Sequence, residues 1–351
     1  MKICARCKQA FDEDFVVCPT DGQPLDRQGI APSALPLFDG RYDILRKLGQ
    51  GGTARVFKAV DTQTSRHVAI KVIEGEAADT PTWRERLLRE AALLQSLRHP
   101  NVVEVQTGGE LANGSPYLVM EYLEGETLGQ LLRRIPVIPL VPALAILTEV
   151  ASGIAATHAI GVIHRDVKPD NIFLVGPKGA PTRAKIFDFS FARVQGGERF
   201  TTEGFILGTP HYMAPEQAVG DPTGHRTDVY ALGVVAYRIL TGALPFEGQD
   251  AELLAQHLYA QPIPPNVRRR DIPLEVAAIV MSALRKLPRN RYPSMQDFVE
   301  DIERAAGKGS GAVTADLVAW DDVYEPLSPF SKGFADKLRA KLPANKPPQK
   351  G

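Results

Sequence analysis

Residues 164–171 read His-Arg-Asp-Val-Lys-Pro-Asp-Asn, and residues 188–190 read Asp-Phe-Ser. Asp166 and Asn171 are five residues apart, a spacing that allows one loop to direct both side chains at a single site. A carboxylate can accept a proton, and carboxylate and amide oxygens bind hard cations such as Mg²⁺. The two runs therefore predict a base, Asp166, and two metal ligands, Asn171 and Asp188.

The composition indicates a folded chain with no dominant charge. Hydrophobic residues make up 44% of 351 residues, which excludes disorder throughout. Lys and Arg number 41, as do Asp and Glu, so no overall field would recruit nucleic acid or an acidic membrane. We predict no nucleic-acid partner. The longest apolar stretches, such as that around Leu140 to Ile163, contain polar residues, so no transmembrane segment is predicted either.

The cysteines indicate the compartment. All three precede residue 20 and cannot pair completely, which favours a reducing environment. Residues 1–4 lack the apolar core of a signal peptide. These features predict a cytoplasmic protein.

The chain divides by composition into four segments: a cysteine module (1–25), a Pro- and Gly-containing linker (26–41), a patterned region (42–302) and a flexible basic tail (303–351). Within 42–123 the patterns predict a small lobe of five strands and one helix. The strands are Tyr42–Leu48, Arg55–Val60, His67–Ile73, Val102–Gly108 and Pro116–Tyr122, and the helix is Thr82–Leu97.

From 124 to 302 the pattern is mainly helical and predicts a larger helical lobe. Apolar residues three and four apart between Ala143 and His158 form one helix face. Further helices are predicted at Thr227–Leu240, Ala251–Tyr259, Leu274–Leu284 and Ser294–Arg304.

Two further motifs complete a resemblance. Gly49-Gln50-Gly51-Gly52 forms a glycine-rich hairpin whose backbone can approach phosphate oxygens, although alone it is an ordinary turn. Val68-Ala69-Ile70-Lys71 places a lysine in an apolar strand, where an unpaired ammonium is costly. With these motifs, residues 42–302 resemble a bacterial eukaryotic-type (Hanks-type) Ser/Thr protein kinase. The resemblance implies an α+β, two-lobed fold with an antiparallel small lobe, and ATP with Mg²⁺ or Mn²⁺ as cofactors.

The resemblance also implies catalytic roles. Asp166 would orient the substrate hydroxyl and accept its proton, and Lys168 would steady the γ-phosphate. Lys71 would hold the α- and β-phosphates and pair with Glu90 of the following helix; the alternative is a surface lysine at a strand end. His164 would act as scaffold and not as a base.

The nucleotide site follows from the same resemblance. Adenine would lie between Val56 and Ala69 on one side and Phe173 on the other, and backbone groups of residues 121–123 would bind its edge. The implied nucleotide-binding residues are Leu48, Gly49, Gln50, Gly51, Gly52, Val56, Ala69, Lys71, Met120, Glu121, Leu123 and Phe173.

Several positions resemble the Ser/Thr class and its structural framework. Lys168 and the run Gly208-Thr209-Pro210 favour Ser/Thr over Tyr specificity. Glu216, in Ala214-Pro215-Glu216, would be buried and would require a cation, for which Arg291 is the candidate. Asp228 resembles the aspartate that fixes the catalytic-loop backbone, with a helix N-cap as the alternative.

Regulation is predicted in the segment that follows Asp188. Arg165 resembles the arginine that a phosphate on this segment neutralises, and Thr201 and Thr202 are the candidate acceptors for autophosphorylation in a transient dimer; the alternative is that both are solvated hydroxyls. Ala54 and Ser190 replace two glycines of the family pattern. Ser190 is expected to bias the segment and slow catalysis without abolishing it.

The terminal segments carry separate predictions. Cys4, Cys7, Cys18 and Asp21 resemble a zinc-ribbon ligand set for a module that binds a protein partner, with a metal-free hairpin of reduced thiols as the alternative. Near the other end, an apolar residue recurs every four positions from Phe330 to Leu342, among basic residues. A helix there could contact a partner or an acidic surface, but a disordered tail is favoured because so short a helix is marginal in water.

The sequence thus predicts a Ser/Thr protein kinase that acts on protein substrates. Two alternatives remain: a pseudokinase scaffold that binds nucleotide and recruits partners through its module and tail, and a small-molecule phosphotransferase. The presence of all four motif residues argues against the pseudokinase scaffold; they are Lys71, Asp166, Asn171 and Asp188. The run 208–216, which resembles a peptide-docking platform, disfavours the phosphotransferase.

Overall fold

The computed structural model describes residues 2–3, 6, 10–11, 40–50, 54–73, 81–111, 114–178, 180–189, 210–307 and 323–340. The chain forms two compact units: Met1–Arg98 with Val103–Glu124, and His99–Val102 with Gly125–Gly351. The stretch 99–102 belongs to the second unit because Val102 forms a parallel bridge with Ile186 and the Asn101 amide donates to the Ala184 carbonyl at 2.9 Å.

The first unit contains the predicted five-stranded antiparallel sheet and single helix. Its elements are β1 (Lys2–Ile3), β2 (Ala10–Phe11), β3 (Tyr42–Gln50), β4 (Ala54–Asp61), β5 (Arg66–Ile73), α1 (Pro81–Ser96), β6 (Val105–Glu110) and β7 (Pro116–Glu121). The sheet order is β3-β4-β5-β7-β6, and β1 pairs with β2 in a separate two-stranded antiparallel sheet. Alternate residues of β5, Val68, Ile70 and Val72, point into one core because side chains of a strand alternate between its faces.

The second unit is mainly helical, as predicted. Its helices are α2 (Leu128–Arg134), α3 (Leu140–Ala159), α4 (Pro215–Val219), α5 (His225–Thr241), α6 (Asp250–Tyr259), α7 (Pro265–Arg268), α8 (Leu274–Ala283), α9 (Met295–Ala305) and α10 (Pro329–Arg339). A three-stranded sheet that was not predicted joins β8 (Gly125–Thr127), β9 (Ile172–Val175) and β10 (Arg183–Ile186). Strands of three or four residues are too short for their alternation to be read from sequence.

Helix α3 is a core element of this unit. It packs against α5, α9 and β10, and its residues Ala143, Leu147 and Ile154 are fully buried. In the part of the chain that the structure describes, α3 is the one helix long and apolar enough to cross a membrane, and half of its apolar window is buried inside the protein. Its hydropathy is therefore explained by packing in the core.

The prediction of a flexible tail is wrong for residues 323–340. This stretch, which we call the C-terminal segment, contains α10 and packs against α4 and α6. Its buried helix positions are Ser331, Ala335 and Leu338, spaced four and three apart. Residues four apart on a helix are rotated by about 40° relative to each other. Phe330, two such steps before the buried Leu338, therefore lies on the exposed face.

Acid is expected to destabilise the protein partly through His257 on α6. This histidine is fully buried and its Nδ1 lies 2.8 Å from the Tyr230 hydroxyl. Burial, then the nearby charges of Lys286 and His211, hold the pKa of His257 well below its usual value. Below about pH 6.5, the His257 side chain binds a proton more readily in the unfolded chain than in the folded protein. For each pH unit of acidification, this group therefore lowers the free energy of unfolding by up to about 1.4 kcal/mol.

The measurement is urea unfolding between pH 7 and pH 5 for the parent and His257→Asn. The variant should lose less stability across this range, because it lacks the titrating group. His67→Asn is the matched control, since His67 is exposed. Equal pH slopes for the parent and His257→Asn would refute the assignment.

Candidate active site

The backbone of residues 164–171, which we call loop 164–171, is fixed by Asp228 on α5. The Asp228 carboxylate accepts the backbone N–H groups of His164 at 2.8 Å and Arg165 at 2.7 Å, and His158 Nε2 lies 2.8 Å from it. Asp228 is fully buried. Arg165 has φ of +64°, a strained conformation for a residue with a Cβ, which persists because surrounding bonds enforce it. The predicted role of Asp228 is confirmed, and the N-cap position belongs to Gly224.

Asp228 remains ionised despite its burial. Burial opposes ionisation, but the His158 hydrogen bond and charge, with the interactions of His164, outweigh it and hold the pKa of Asp228 below its usual value. His158 was not predicted from sequence as a site residue, because its spacing places it only on the apolar face of α3.

Asp228→Asn is expected to lower the free energy of unfolding by about 1–3 kcal/mol. An amide has one acceptor oxygen, so the backbone N–H of His164 or Arg165 would face an NH₂ group and lose its partner. Urea unfolding measures the loss. Asp250→Asn is the control, because Asp250 also lies in the first turn of a helix but is exposed; an equal loss in the two variants would contradict this account.

His164 acts as scaffold, as predicted. Its Nδ1 accepts the backbone N–H of Asp166 at 3.2 Å, which leaves Nε2 to donate to the Phe187 carbonyl at 2.9 Å. Its ring packs against Phe189, with centroids 4.8 Å apart. With both nitrogens engaged and the side chain fully buried, His164 is not placed to serve as a base.

Asp166, Lys168 and Asn171 form one hydrogen-bonded cluster. Lys168 Nζ donates to Asp166 Oδ2 at 2.7 Å, and Asn171 Nδ2 donates to the same oxygen at 3.1 Å and to the Asp166 carbonyl at 2.8 Å. The Asp166 and Lys168 side chains keep 18% and 23% of their surface exposed, so both are reachable by a substrate. The cluster thus holds a partly exposed carboxylate beside an ammonium group.

Asp188 is held next to this cluster by its two neighbours. The Phe187 N–H donates to the Asn171 carbonyl at 3.1 Å, and Phe189 packs on His164. Asp188 itself has φ of +59°, a region that Asp enters more readily than most residues. Phe173 on β9 lies edge-on to Phe187, with centroids 5.9 Å apart.

The oxygen donors of this site suit Mg²⁺. Because Asn171 Nδ2 donates to Asp166, Asn171 Oδ1 is the atom that remains to bind a cation. Mg²⁺ in nucleotide sites takes one or two protein ligands and completes its shell with phosphate and water oxygens. Asn171 and Asp188 are two side chains with such oxygen atoms. Among the described residues, no group of three or more His, Cys, Asp or Glu side chains forms a metal site.

Two side chains of α4 connect it to its surroundings. Gln217 Nε2 donates to the Arg165 carbonyl at 3.0 Å, a contact that no sequence signal predicted. Glu216 forms a bidentate ion pair with Arg291, both oxygens at 2.8 Å, which confirms the predicted pairing. Both side chains are at least 98% buried.

The first unit carries the other predicted residues. Lys71 lies on β5 in register with Val56 and Leu118, and Glu90 lies on α1; both side chains are half-buried. Ala69 pairs with Met120, so two of the predicted nucleotide-binding residues are neighbours across β5 and β7. The predicted residues Leu48, Gly49 and Gln50 end β3, Glu121 ends β7, and Leu123 follows it.

Other predicted residues lie outside the described part of the chain. They are Gly51 and Gly52 of the glycine-rich hairpin, the segment residues Ser190, Thr201, Thr202, Gly208 and Thr209, and the module residues Cys4, Cys7, Cys18 and Asp21.

Comparisons with known proteins agree on one family. The model of the protein kinase domain matches residues 42–301. Serine/threonine-protein kinase PknB of Mycobacterium leprae is 37% identical over 274 residues, which cover 77% of this chain and 43% of PknB. Pkn3 of Myxococcus xanthus is 35% identical over 75% of this chain and 49% of its own length. The chain thus spans less than half of these curated relatives.

A solved structure shares the fold. The crystal structure of the Mycobacterium tuberculosis PknI kinase domain matches with a TM-score of 0.60 and 28% identity, over 75% of this chain and 95% of that one.

Proposed function

Because this chain belongs to the protein kinase family, we propose that it transfers the γ-phosphoryl group of ATP to serine and threonine hydroxyls of protein substrates. The observation that carries the proposal is the Asp166 carboxylate, oriented by Lys168 at 2.7 Å and Asn171 at 3.1 Å. Relatives named serine/threonine-protein kinases support the choice of acceptor. Only part of each relative is matched, so their own substrates are not carried over.

The residues of loop 164–171 divide the chemistry. Asp166 orients the acceptor hydroxyl and takes its proton at a carboxylate oxygen, which makes the hydroxyl oxygen a better nucleophile. Lys168, already beside that carboxylate, contributes its ammonium to the phosphoryl group as negative charge builds there. Asn171 and Asp188 would hold Mg²⁺, or Mn²⁺, which when bound neutralises phosphate charge.

The first unit would bind the nucleotide. Lys71, between the apolar residues Ile70 and Val72 of β5, would bind the α- and β-phosphates with Glu90 as its partner. The end of β3, from Leu48 to Gln50, would cover the phosphates. Val56 and Ala69, with Met120 and the backbone of residues 121–123, would bind the adenine base, and Phe173 would contact it.

Regulation by autophosphorylation is part of the proposal. Thr201 and Thr202 would accept phosphate in trans within a transient dimer, and the phosphate would neutralise Arg165. The supporting observation is the position of Arg165 in loop 164–171, directly before Asp166. Replacing both threonines by alanine should lower activity, and an unchanged rate in the double variant would remove this part of the proposal.

The N-terminal module would bind Zn²⁺ through Cys4, Cys7, Cys18 and Asp21 and recruit a protein partner, in a cytoplasmic protein. Its support is the ligand spacing in the sequence. Elemental analysis of native protein should give about one zinc ion per chain. A ratio near zero would favour the metal-free hairpin.

The central experiment mixes the purified chain with γ-labelled ATP, Mg²⁺ and a general protein acceptor. Hydrolysis of the labelled product should yield phosphoserine and phosphothreonine, and chelation of the metal should abolish labelling. Nucleotide binding without any label transfer would refute the enzyme and favour the scaffold. Label transfer to small metabolites alone would indicate a small-molecule phosphotransferase.

A further inference from the structure

The C-terminal segment is anchored by one buried carboxylate. Asp221 Oδ2 accepts the Tyr324 hydroxyl at 2.8 Å and the Leu327 backbone N–H at 3.0 Å, and Asp221 Oδ1 accepts the Ser331 hydroxyl at 2.7 Å. Asp221, Tyr324 and Ser331 are 6%, 3% and 1% exposed. A buried carboxylate is costly without such donors, so Asp221 depends on the segment to satisfy its charge.

An apolar contact accompanies the polar anchor. Ala335 and Leu338 of α10 are buried against residues of α4 and α6, together with Tyr324. The partner residues are Met213, which lies just before α4, then Ala218 and Val219 of α4, and Leu254, Ala255 and Leu258 of α6. The Tyr324 N–H also donates to the Leu258 carbonyl at 2.9 Å, and the Arg339 guanidinium lies 5.2 Å from the Tyr259 ring. The α4–α6 face, defined by these partner residues with Asp221, thus buries one side of the C-terminal segment.

Helix α4 connects this face to loop 164–171. Asp221 follows Gly220, the C-cap residue of α4, and its N–H donates to the Glu216 carbonyl at 2.8 Å. From the same helix, Gln217 donates to the Arg165 carbonyl, one residue before Asp166. The segment therefore contacts a five-residue helix that also contacts the strained residue of the loop. Such a short element is stabilised mainly by what packs against it.

We propose that the α4–α6 face is a peptide-binding site whose ligand is the chain's own C-terminal segment, and that this ligand positions loop 164–171 through α4. The features that the face recognises are the Tyr324 hydroxyl, the Leu327 backbone N–H and the Ser331 hydroxyl. The apolar face of α10, with Ala335 and Leu338, completes the set. Asp221 and Gln217 are positioning residues. The effect on catalysis rests on the proposed function; the docking does not.

The test compares Leu338→Asp with Lys337→Asp in the full chain. The two substitutions place the same carboxylate on adjacent residues of α10, one buried in the contact and one exposed. Leu338→Asp should speed amide hydrogen exchange in residues 323–340 and at the N–H groups of residues 164 and 165. It should lower kcat about tenfold with the KM for ATP unchanged. Lys337→Asp should resemble the parent in every measurement.

A second variant removes the anchor without changing the apolar contact. Tyr324→Phe combined with Ser331→Ala deletes two of the three donors to Asp221 and should shift exchange and kcat in the same direction. Adding Asp221→Asn removes the unsatisfied charge and should slow the exchange of the segment again.

Several outcomes would overturn the proposal. Equal exchange of residues 323–340 in the parent and Leu338→Asp would show that the segment is not docked. If the segment undocks and kcat is unchanged, the segment contributes only to stability. If the segment undocks and kcat rises, the docked segment is inhibitory. If the parent has no transferase activity, the proposed function fails separately, and unchanged exchange at residues 164 and 165 would refute the positioning role.

Discussion

Asp166→Asn is expected to reduce kcat by about 10³-fold, since general-base groups contribute about 10²–10⁴-fold. The substitution keeps the shape of the side chain and one oxygen that can accept from Lys168 or Asn171. It removes the group that takes the proton of the acceptor hydroxyl. The binding constant for MgATP and the free energy of unfolding should change little, because the Asp166 side chain is partly exposed and Asn is nearly isosteric.

Initial rates at saturating MgATP, with a protein acceptor, measure this effect. Asp170→Asn provides the control, because Asp170 lies on the same short 3-10 helix as Asn171, is exposed, and lies 3.8 Å from the exposed Arg133 guanidinium. The control should retain the parental rate. If Asp166→Asn keeps kcat within tenfold of the parent, the proton goes elsewhere and the role of Asp166 must be revised.

Arg291→Met is expected to lower the free energy of unfolding by about 3–5 kcal/mol. The Arg291 guanidinium uses all its donors: to both oxygens of Glu216 and to the carbonyls of Arg226, Arg285 and Lys286. The side chain is completely buried and Glu216 is 2% exposed. Methionine fills similar space but leaves a buried carboxylate with only the Thr227 hydroxyl as a donor at 2.8 Å among its described side-chain contacts.

Urea unfolding at pH 7 would measure the loss. Combining Arg291→Met with Glu216→Gln should recover part of the stability, because the uncompensated charge is then absent. Arg289→Met, on an exposed neighbour, should have little effect. A loss in the double variant as large as in Arg291→Met alone would show that the carbonyl contacts, and not the charge of Glu216, dominate.

The first unit was predicted well because its strands are long and alternate clearly. Predicted boundaries for β3, β4 and β5 lie within two residues of the observed ones. The start of β6 was misplaced, since Val102 pairs with Ile186 of the second unit and the strand begins at Val105. Local apolar character does not reveal which strand a residue will pair with.

For loop 164–171, the sequence predicted the roles of individual residues but missed some of the contacts that hold the loop in place. The roles of His164 and Asp228 as framework, and the pairing of Glu216 with Arg291, are confirmed by contacts. His158 and Gln217 were not predicted, because their contacts reach Asp228 and the Arg165 carbonyl across 70 and 52 residues of chain. Nothing in their local pattern specifies such distant partners.

The residue order alone was enough for the resemblance to the kinase family, for the prediction of Asp166 as a base and for the periodic elements, because motif spacing and alternation are local properties that can be read without knowledge of the fold. Folding decided where the C-terminal segment lies and how α4 meets loop 164–171. An isolated eleven-residue helix is marginal in water. Its order comes from Asp221 and from the apolar residues of α4 and α6, which are more than sixty residues away in the chain and meet it only after packing.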